Sequence, residues 1–395
     1  MIKTTRDFFL DIDSSQFNKY RQYVAGDVVL THRIKEENRV ITCLSDGLGS
    51  GIKASVLANL TATMAVKYTS NYADVTKTAE VIMETLPGCS VRKISYSTFT
   101  IVDINSSGHA RIIEHGNPDY LLMRGIEPVK VPKTRIQLKK WSQREVNISE
   151  FDFHIGDRLI YFSDGVTQAG MGLRDYPLGW GFRAVIKNIQ QWIGWEKGIS
   201  SRQLARTIAI HARQIDSFEP KDDITCGVIY MRHPRLLLLV TGPPFSETRD
   251  QELASMVKSF SGRKVICGGT TAQILARELD EDIEMDLDNL DPEIPPPSRM
   301  QGIELITEGT ITLSKVAEML ESGQKPETAR SNAASALVSI LLDSDVIHFF
   351  VGTRVNEAHQ DPNLPVELDI RRNIIKKITT LLEEKYLKDT QKRFI

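Results

Sequence analysis

The sequence predicts an α+β fold followed by a smaller α/β domain with a parallel sheet, and three observations carry that expectation. Residues 1–232 alternate β-rich runs with two long helical patterns, near Ile52–Tyr68 and Ser201–Gln214, which suits two sheets flanked by helices. After Met231-Arg232-His233-Pro234 the runs RLLLLVTGPP, KVICGGTT, IELITEGT and VIHFFVGT each reach a glycine, and helical stretches follow the first three. Strands alternating with helices are the pattern of a parallel sheet. The length of 395 residues fits two domains, placed at 1–232 and 235–395.

Taken in order, the strands of the first domain end on acids: Asp27 in VAGDVVL, Asp46 in VITCLSDGLGSG, Asp164 in RLIYFSDGV and Asp223 in KDDITCGVIY. Neighbouring strands deliver their ends to one sheet edge, where gathered carboxylates repel one another unless a cation lies between them. An all-oxygen set suits a hard divalent ion. The tripeptides Ser45-Asp46-Gly47 and Ser163-Asp164-Gly165 repeat the pattern, and glycine after aspartate is read as letting the backbone turn and offer its carbonyl. Each Asp-Gly alone reads first as a turn; four acids in this order point to metal.

The next element, Gly47-Leu48-Gly49-Ser50-Gly51 before a helix, lacks the spacing of a P-loop. It swings the chain from a ligand into a helix, with Ser50 and Lys53 as candidate contacts to a substrate phosphate. Arg21, Arg33 and Lys35 flank Asp27 in sequence, and Arg33 is the candidate for a bidentate phosphate grip. The competing reading for all three is solvated surface charge. His32 and His115 read as structural histidines. The stretch from Gly170 to Gly198, with Trp180, Trp192 and Trp195, reads either as a flap over the site or as packing against the sheets.

The order Gly-Asp, Ser-Asp-Gly-x-Gly-x-Gly, Ser-Asp-Gly, Asp-Asp-x-Thr over about residues 20 to 232 resembles the metal-dependent (PPM-type) serine/threonine phosphatases, specifically the sporulation stage II protein E (SpoIIE) branch. Ser95–Ile104, His115–Leu122 and Gly156–Gly165 add to the likeness. The resemblance implies a four-layer α-β-β-α phosphatase sandwich holding two divalent cations, manganese or magnesium. Asp46 would bridge both ions, the Gly47 carbonyl would join one shell with Asp27 nearby, and Asp164 and Asp223 would complete the other. Catalysis would depend on Asp46 and Asp164, with a metal-bridging hydroxide attacking phosphoserine or phosphothreonine of a bacterial regulatory protein. An anti-sigma-factor antagonist is the partner that the resemblance implies. The alternative is a catalytically silent phosphatase fold acting as a metal-dependent binding module, with the C-terminal domain binding a phosphorylated small molecule.

A net charge of −2 argues against a nucleic-acid partner. No apolar run reaches the length of a membrane span, and the start MIKTTRDFFLDID carries acids, so a soluble cytoplasmic protein without membrane contact is expected. Cys43, Cys89, Cys226 and Cys267 form no Cys-x-x-Cys pair and read as reduced thiols. In the second domain Gly269-Thr270-Thr271, Gly309-Thr310 and Gly352-Thr353 fall at strand carboxyl ends, where a small anionic ligand or ordinary turn and cap roles are the alternatives. Acidic Asp280–Met300 reads as a surface segment. A last helix, about Glu367–Leu387, aligns Ile370, Ile374, Ile378, Leu381 and Leu382, a stripe that packs on its own domain or in a homodimer.

Overall fold

Period-two alternation along strands that are buried on both faces decides the layering of the first unit. The computed structural model describes residues 8–71, 80–82, 97–137, 145–286, 291–324, 330–354 and 364–395. Cys89 and residues 287–290 of the acidic segment lie outside them. The chain divides into two compact units, Leu10–Arg232 and His233–Ile395, with Phe9 grouped with the latter.

The first unit contains β1 (Phe9–Phe17), β2 (Asp27–Ile34), β3 (Arg39–Gly47), α1 (Gly51–Ser70), β4 (Ser97–Ile104), β5 (His109–His115), β6 (Leu121–Arg124), β7 (Glu127–Val129), β8 (Thr134–Gln137) and β9 (Glu145–Asp152). It continues with β10 (Asp157–Phe162), the single turn α2 (Asp164–Thr167), α3 (Phe182–Trp195), α4 (Ser201–Ile215) and β11 (Ile224–Arg232). One sheet runs β2-β3-β4-β5-β9-β8 and the other β1-β11-β10-β6-β7. Ile41 and Cys43 of β3 face Leu57, Ala62 and Val66 of α1. The intervening Thr42 bonds the Tyr161 hydroxyl of β10 at 3.1 Å, sheet to sheet. Ile160 and Phe162 then face Val185, Ile189, Leu204 and Ile208 of α3 and α4. Helix, sheet, sheet and helices thus stack as the expected four layers.

The 170–198 stretch resolves toward packing. Its C-terminal part is α3, and Trp180 is buried with its ring 4.9 Å from that of His211 and 6.3 Å from Trp192. Trp195 alone of the three remains exposed.

The second unit contains β12 (Leu236–Thr241), a 3-10 turn (Glu247–Arg249), α5 (Asp250–Ser259), β13 (Arg263–Cys267), α6 (Gly269–Leu279), β14 (Glu284–Met285), β15 (Ser298–Met300) and β16 (Ile303–Thr307). Then follow α7 (Thr310–Ser322), α8 (Ala333–Asp343), β17 (Val346–Val351), α9 (Leu364–Glu384) and β18 (Asp389–Phe394). The four anticipated strands are parallel neighbours in the order β16-β13-β12-β17. A fifth, β18, extends them in parallel, and the β14-β15 hairpin adds an antiparallel edge. Ile375, Ile378 and Leu382 of α9 are buried in this unit's own core, with Ile374 and Leu381 packed against it, while Ile370 is exposed.

Among the described residues no helix is long and apolar enough to cross a membrane. Cys43, Cys226 and Cys267 are buried free thiols.

Candidate metal centre

The β2–β3 ladder sets Asp27 directly opposite Asp46. Across the sandwich, β10 runs into Ser163, and Asp164 opens α2. Ser163 ties this corner to the start of β11: its N–H donates to the Thr225 carbonyl at 3.0 Å, and its hydroxyl accepts from the Thr225 N–H at 3.1 Å. Gln16 joins the two sheets, its Nε2 donating to the Asp27 carbonyl at 2.9 Å and to Thr225 Oγ1 at 3.0 Å. Hydrogen bonding therefore draws the ends of β2, β3, β10 and β11 to one place.

The two Asp-Gly repeats have a reason different from the expected sharp turn. Neither Gly47 nor Gly165 has a positive φ. A side-chain carbon on Gly47 would lie 2.2 Å from the Ala54 carbonyl oxygen of α1, and one on Gly165 would lie 2.2 Å from the Asp223 carbonyl oxygen. Each glycine lets another backbone approach the acid beside it.

The gathered carboxylates strain one another electrostatically. Burial, opposed by the Thr225 and Ser163 hydroxyls and reinforced by the charges of Asp223 and Asp222, pushes Asp27 up to about 7. Burial, then the charges of Asp27, Asp164 and Asp222, push Asp46 up to about 9. Asp164 is raised by burial and by Asp222, and Asp222 is raised chiefly by burial, with Lys19 pulling it back. Oδ2 of Asp27 is buried without a hydrogen-bond partner. A group of hard oxygen donors holding excess negative charge, with one acceptor left over, fits divalent cations. Among the described residues, however, no three His, Cys, Asp or Glu side chains form a closed cation cage.

Asp223 stands apart from the others. Its Oδ1 accepts from the Lys19 N–H at 2.8 Å and its Oδ2 from the Gly26 N–H at 2.7 Å, so both oxygens bind the segment leading into β2. Asp222 is the member of the pair whose charge acts on Asp27, Asp46 and Asp164 alike. In two adjacent acids before a strand, the side chains diverge, and nothing in Asp222-Asp223 says which one faces inward. Lys19 carries no motif either, and only its contact with the Asp223 loop reveals it.

Ser50 sits at the N-cap of α1, its side chain making no cap bond, and Lys53 is exposed in the first turn. Arg33 is not brought to the acids. It pairs with Val40, six positions along the ladder from Asp27, roughly 20 Å at about 3.3 Å per residue. Lys35 lies beyond it in the turn, and Arg21 stacks over Tyr20. His32 pairs with Ile41, and His115 bonds the Glu145 carbonyl at 2.9 Å and packs on Phe99, as structural histidines do. In the second unit Gly269, Thr270 and Thr271 form the first turn of α6, while Gly309 and Thr310 begin α7.

Residues 36–232 match the family profile of stage II sporulation protein E. No curated protein matches the chain. Among solved structures, the phosphatase domain of SpoIIE from Bacillus subtilis aligns at 18% identity and TM-score 0.44, covering 58% of this chain and 95% of that one. The RsbU and RsbW domains of a Mycobacterium tuberculosis protein align at 14% identity and TM-score 0.47, covering 63% and 67%. RsbX in complex with magnesium aligns at 19% and 0.40, covering 56% and 95%. The family likeness thus rests on residues 36–232, which lie within the first unit and carry the stage II sporulation protein E profile.

Proposed function

We propose that the first unit is a divalent-metal protein serine/threonine phosphatase. The observation that carries this reading is the gathering of Asp27, Asp46, Asp164 and Asp222, four carboxyls raised first by burial and then by neighbouring carboxylates, with Asp27 Oδ2 left without a partner. In this reading those four hold magnesium or manganese, Asp46 being central because it feels the other three, and the Gly47 carbonyl is available beside it. Bound ions of this kind supply an activated water and a clamp on the phosphoryl oxygens.

The chain's own residues do the positioning. Asp223 fixes residues 19–26 so that Asp27 meets Asp46. Gln168 Nε2 donates to Asp164 Oδ2 at 2.9 Å and holds that carboxylate on its helix. In this reading Lys19, whose charge reaches Asp222, is the candidate cation for a substrate phosphate, together with Ser50 and Lys53 at the start of α1. The substrate class is a phosphoserine or phosphothreonine protein in bacterial regulation, by family resemblance an anti-sigma-factor antagonist.

The test is hydrolysis of para-nitrophenyl phosphate and a phosphoserine peptide after metal removal, titrating manganese and magnesium. Wild type should turn over only with metal. Asp46→Asn and Asp222→Asn should each lose at least about a thousandfold, the scale of removing a group that acts on the transition state. Metal-independent turnover, or full activity in Asp222→Asn, would refute the assignment.

A further inference from the structure

The carboxyl edge of the second unit's sheet carries a row of glycines. Gly309, Gly268, Gly242 and Gly352 follow the neighbouring strands β16, β13, β12 and β17. They pack backbone on backbone. A side-chain carbon on Gly309 would lie 3.6 Å from the Gly268 Cα, one on Gly268 would lie 4.0 Å from the Gly242 nitrogen, and one on Gly352 would lie 2.3 Å from the Gly242 carbonyl. The strand order reverses between β12 and β17. Helices α5 and α6 cover one face and α7, α8 and α9 the other. Doubly wound sheets take ligands outside these carboxyl ends, beside the reversal.

The helices at this edge differ in what meets their first N–H groups. Glu308 Oε2 accepts from the Ile311 N–H at 3.0 Å and so occupies the end of α7. Helix α6 begins at Gly268-Gly269 with no side-chain cap and no acid in its first turn, and a side-chain carbon on Gly269 would meet nothing within 4 Å.

A second, independent observation lies at the same turn. Thr271 is wholly buried, its hydroxyl has no hydrogen-bond partner, and its Oγ1 lies 3.4 Å from where a Gly268 side chain would start. Thr241, equally buried with a hydroxyl lacking a partner, ends β12 one residue before Gly242. The Nη1 of Arg371 on α9 lies 2.6 Å from the side-chain position of Gly242. Unbonded hydroxyls in the interior are costly unless a ligand or water completes them. A helix N-terminus, a guanidinium and hydroxyl donors together select an anion with several acceptor oxygens.

We propose that this edge binds the phosphate group of a small phosphate monoester, with the first turn of α6 and the Thr271 hydroxyl as donors and Arg371 supplying positive charge. Dinucleotides fit poorly, because the turn after β12 is Gly242-Pro243-Pro244, not a glycine-rich phosphate loop, and glycines stand after β13 where a ribose-gripping acid is needed.

The experiment is calorimetric titration of inorganic phosphate, AMP and adenosine into full-length protein stripped of divalent metal, repeated on Gly269→Asp and Thr271→Val. Phosphate or AMP should bind and adenosine should not; Gly269→Asp should abolish binding, and Thr271→Val should weaken it about tenfold, the weight of one hydrogen bond to a charged group. Aspartate at a helix's first turn favours the helix, so the Gly269→Asp thermal midpoint should stay at or above wild type. AMP binding more tightly than phosphate assigns an ester, and equal affinities assign the free anion. Failure of phosphate and AMP to saturate at millimolar concentration, or equal binding by wild type and Gly269→Asp, would overturn the proposal.

Discussion

Both units gather loops at the ends of adjacent strands, yet the antiparallel sandwich places acids there and the parallel sheet places glycines. At Asp27, Asp46, Asp164 and Asp222 the backbone is tied down by hydrogen bonds and the side chains repel. At Gly242, Gly268, Gly309 and Gly352 the side chains are absent, and the neighbouring groups are hydroxyls, helix N–H groups, a guanidinium and, at the start of α7, the Glu308 carboxylate. One arrangement gathers carboxylates and favours cations; the other offers N–H and hydroxyl donors at the α6 turn and favours an anion there. Strand ends in themselves carry no chemistry, and the residue at each end determines which ion can sit there.

The sharpest way to break this comparison is to separate the acid that builds the first site from those that strain it. Asp223→Ala leaves the buried N–H of Gly26 and the part-buried N–H of Lys19 without acceptors and should destabilise the first unit by about 3 kcal/mol, whereas Asp222→Ala should change metal-free stability by less than about 1 kcal/mol. Urea unfolding of both variants in EDTA measures the difference, and equal losses would show that both carboxylates are structural. A smaller effect tests backbone approach: Gly165→Ala sets a methyl against the Asp223 carbonyl and should cost about 1 to 3 kcal/mol by overpacking, while Gly269→Ala in the second unit, facing open space, should cost nothing measurable.

The mildest test is the pH dependence of metal-free stability. Burial, reinforced by neighbouring carboxylates, pushes Asp27 up to about 7 and Asp46 up to about 9 in the folded state, above the ordinary aspartate value of 3.8. Their contribution is therefore intact below that unfolded value and is lost as pH rises through 7 and toward 9. The thermal midpoint in EDTA should fall across that window, and saturating magnesium should flatten the slope. A midpoint rising with pH in EDTA would contradict the crowding of these acids.

Much of this was legible in the sequence, for reasons that also mark the limits. Asp46 and Asp164 sit at the ends of runs buried on both faces, so their places follow from strand length alone. The four parallel strands announced themselves as continuous apolar runs reaching glycine. By contrast, β18 reads Asp389-Thr390-Gln391-Lys392-Arg393-Phe394, an edge strand with four exposed residues, and gives neither alternation nor an apolar run. Arg33 is only six residues from Asp27 in sequence, but both lie on one extended strand, which makes their spatial separation as large as possible. Asp222 and Lys19 depend on which way a side chain points after the chain has folded, and local pattern does not encode that.

The ladder joining β2 to β3 closes at a turn over Lys35–Asn38, where Asn38 has φ 48° and its N–H donates to the Lys35 carbonyl at 3.2 Å. Because side chains alternate with period two, a register slip of one residue would send Asp27 to the opposite face from Asp46. An insertion at this distant, solvent-facing turn that shifted the ladder by one residue would thus separate the acids while every one of them remained in the sequence. Inventories of ligand residues would then count a slipped relative as intact, and the register of this ladder is a marker to read alongside the acids.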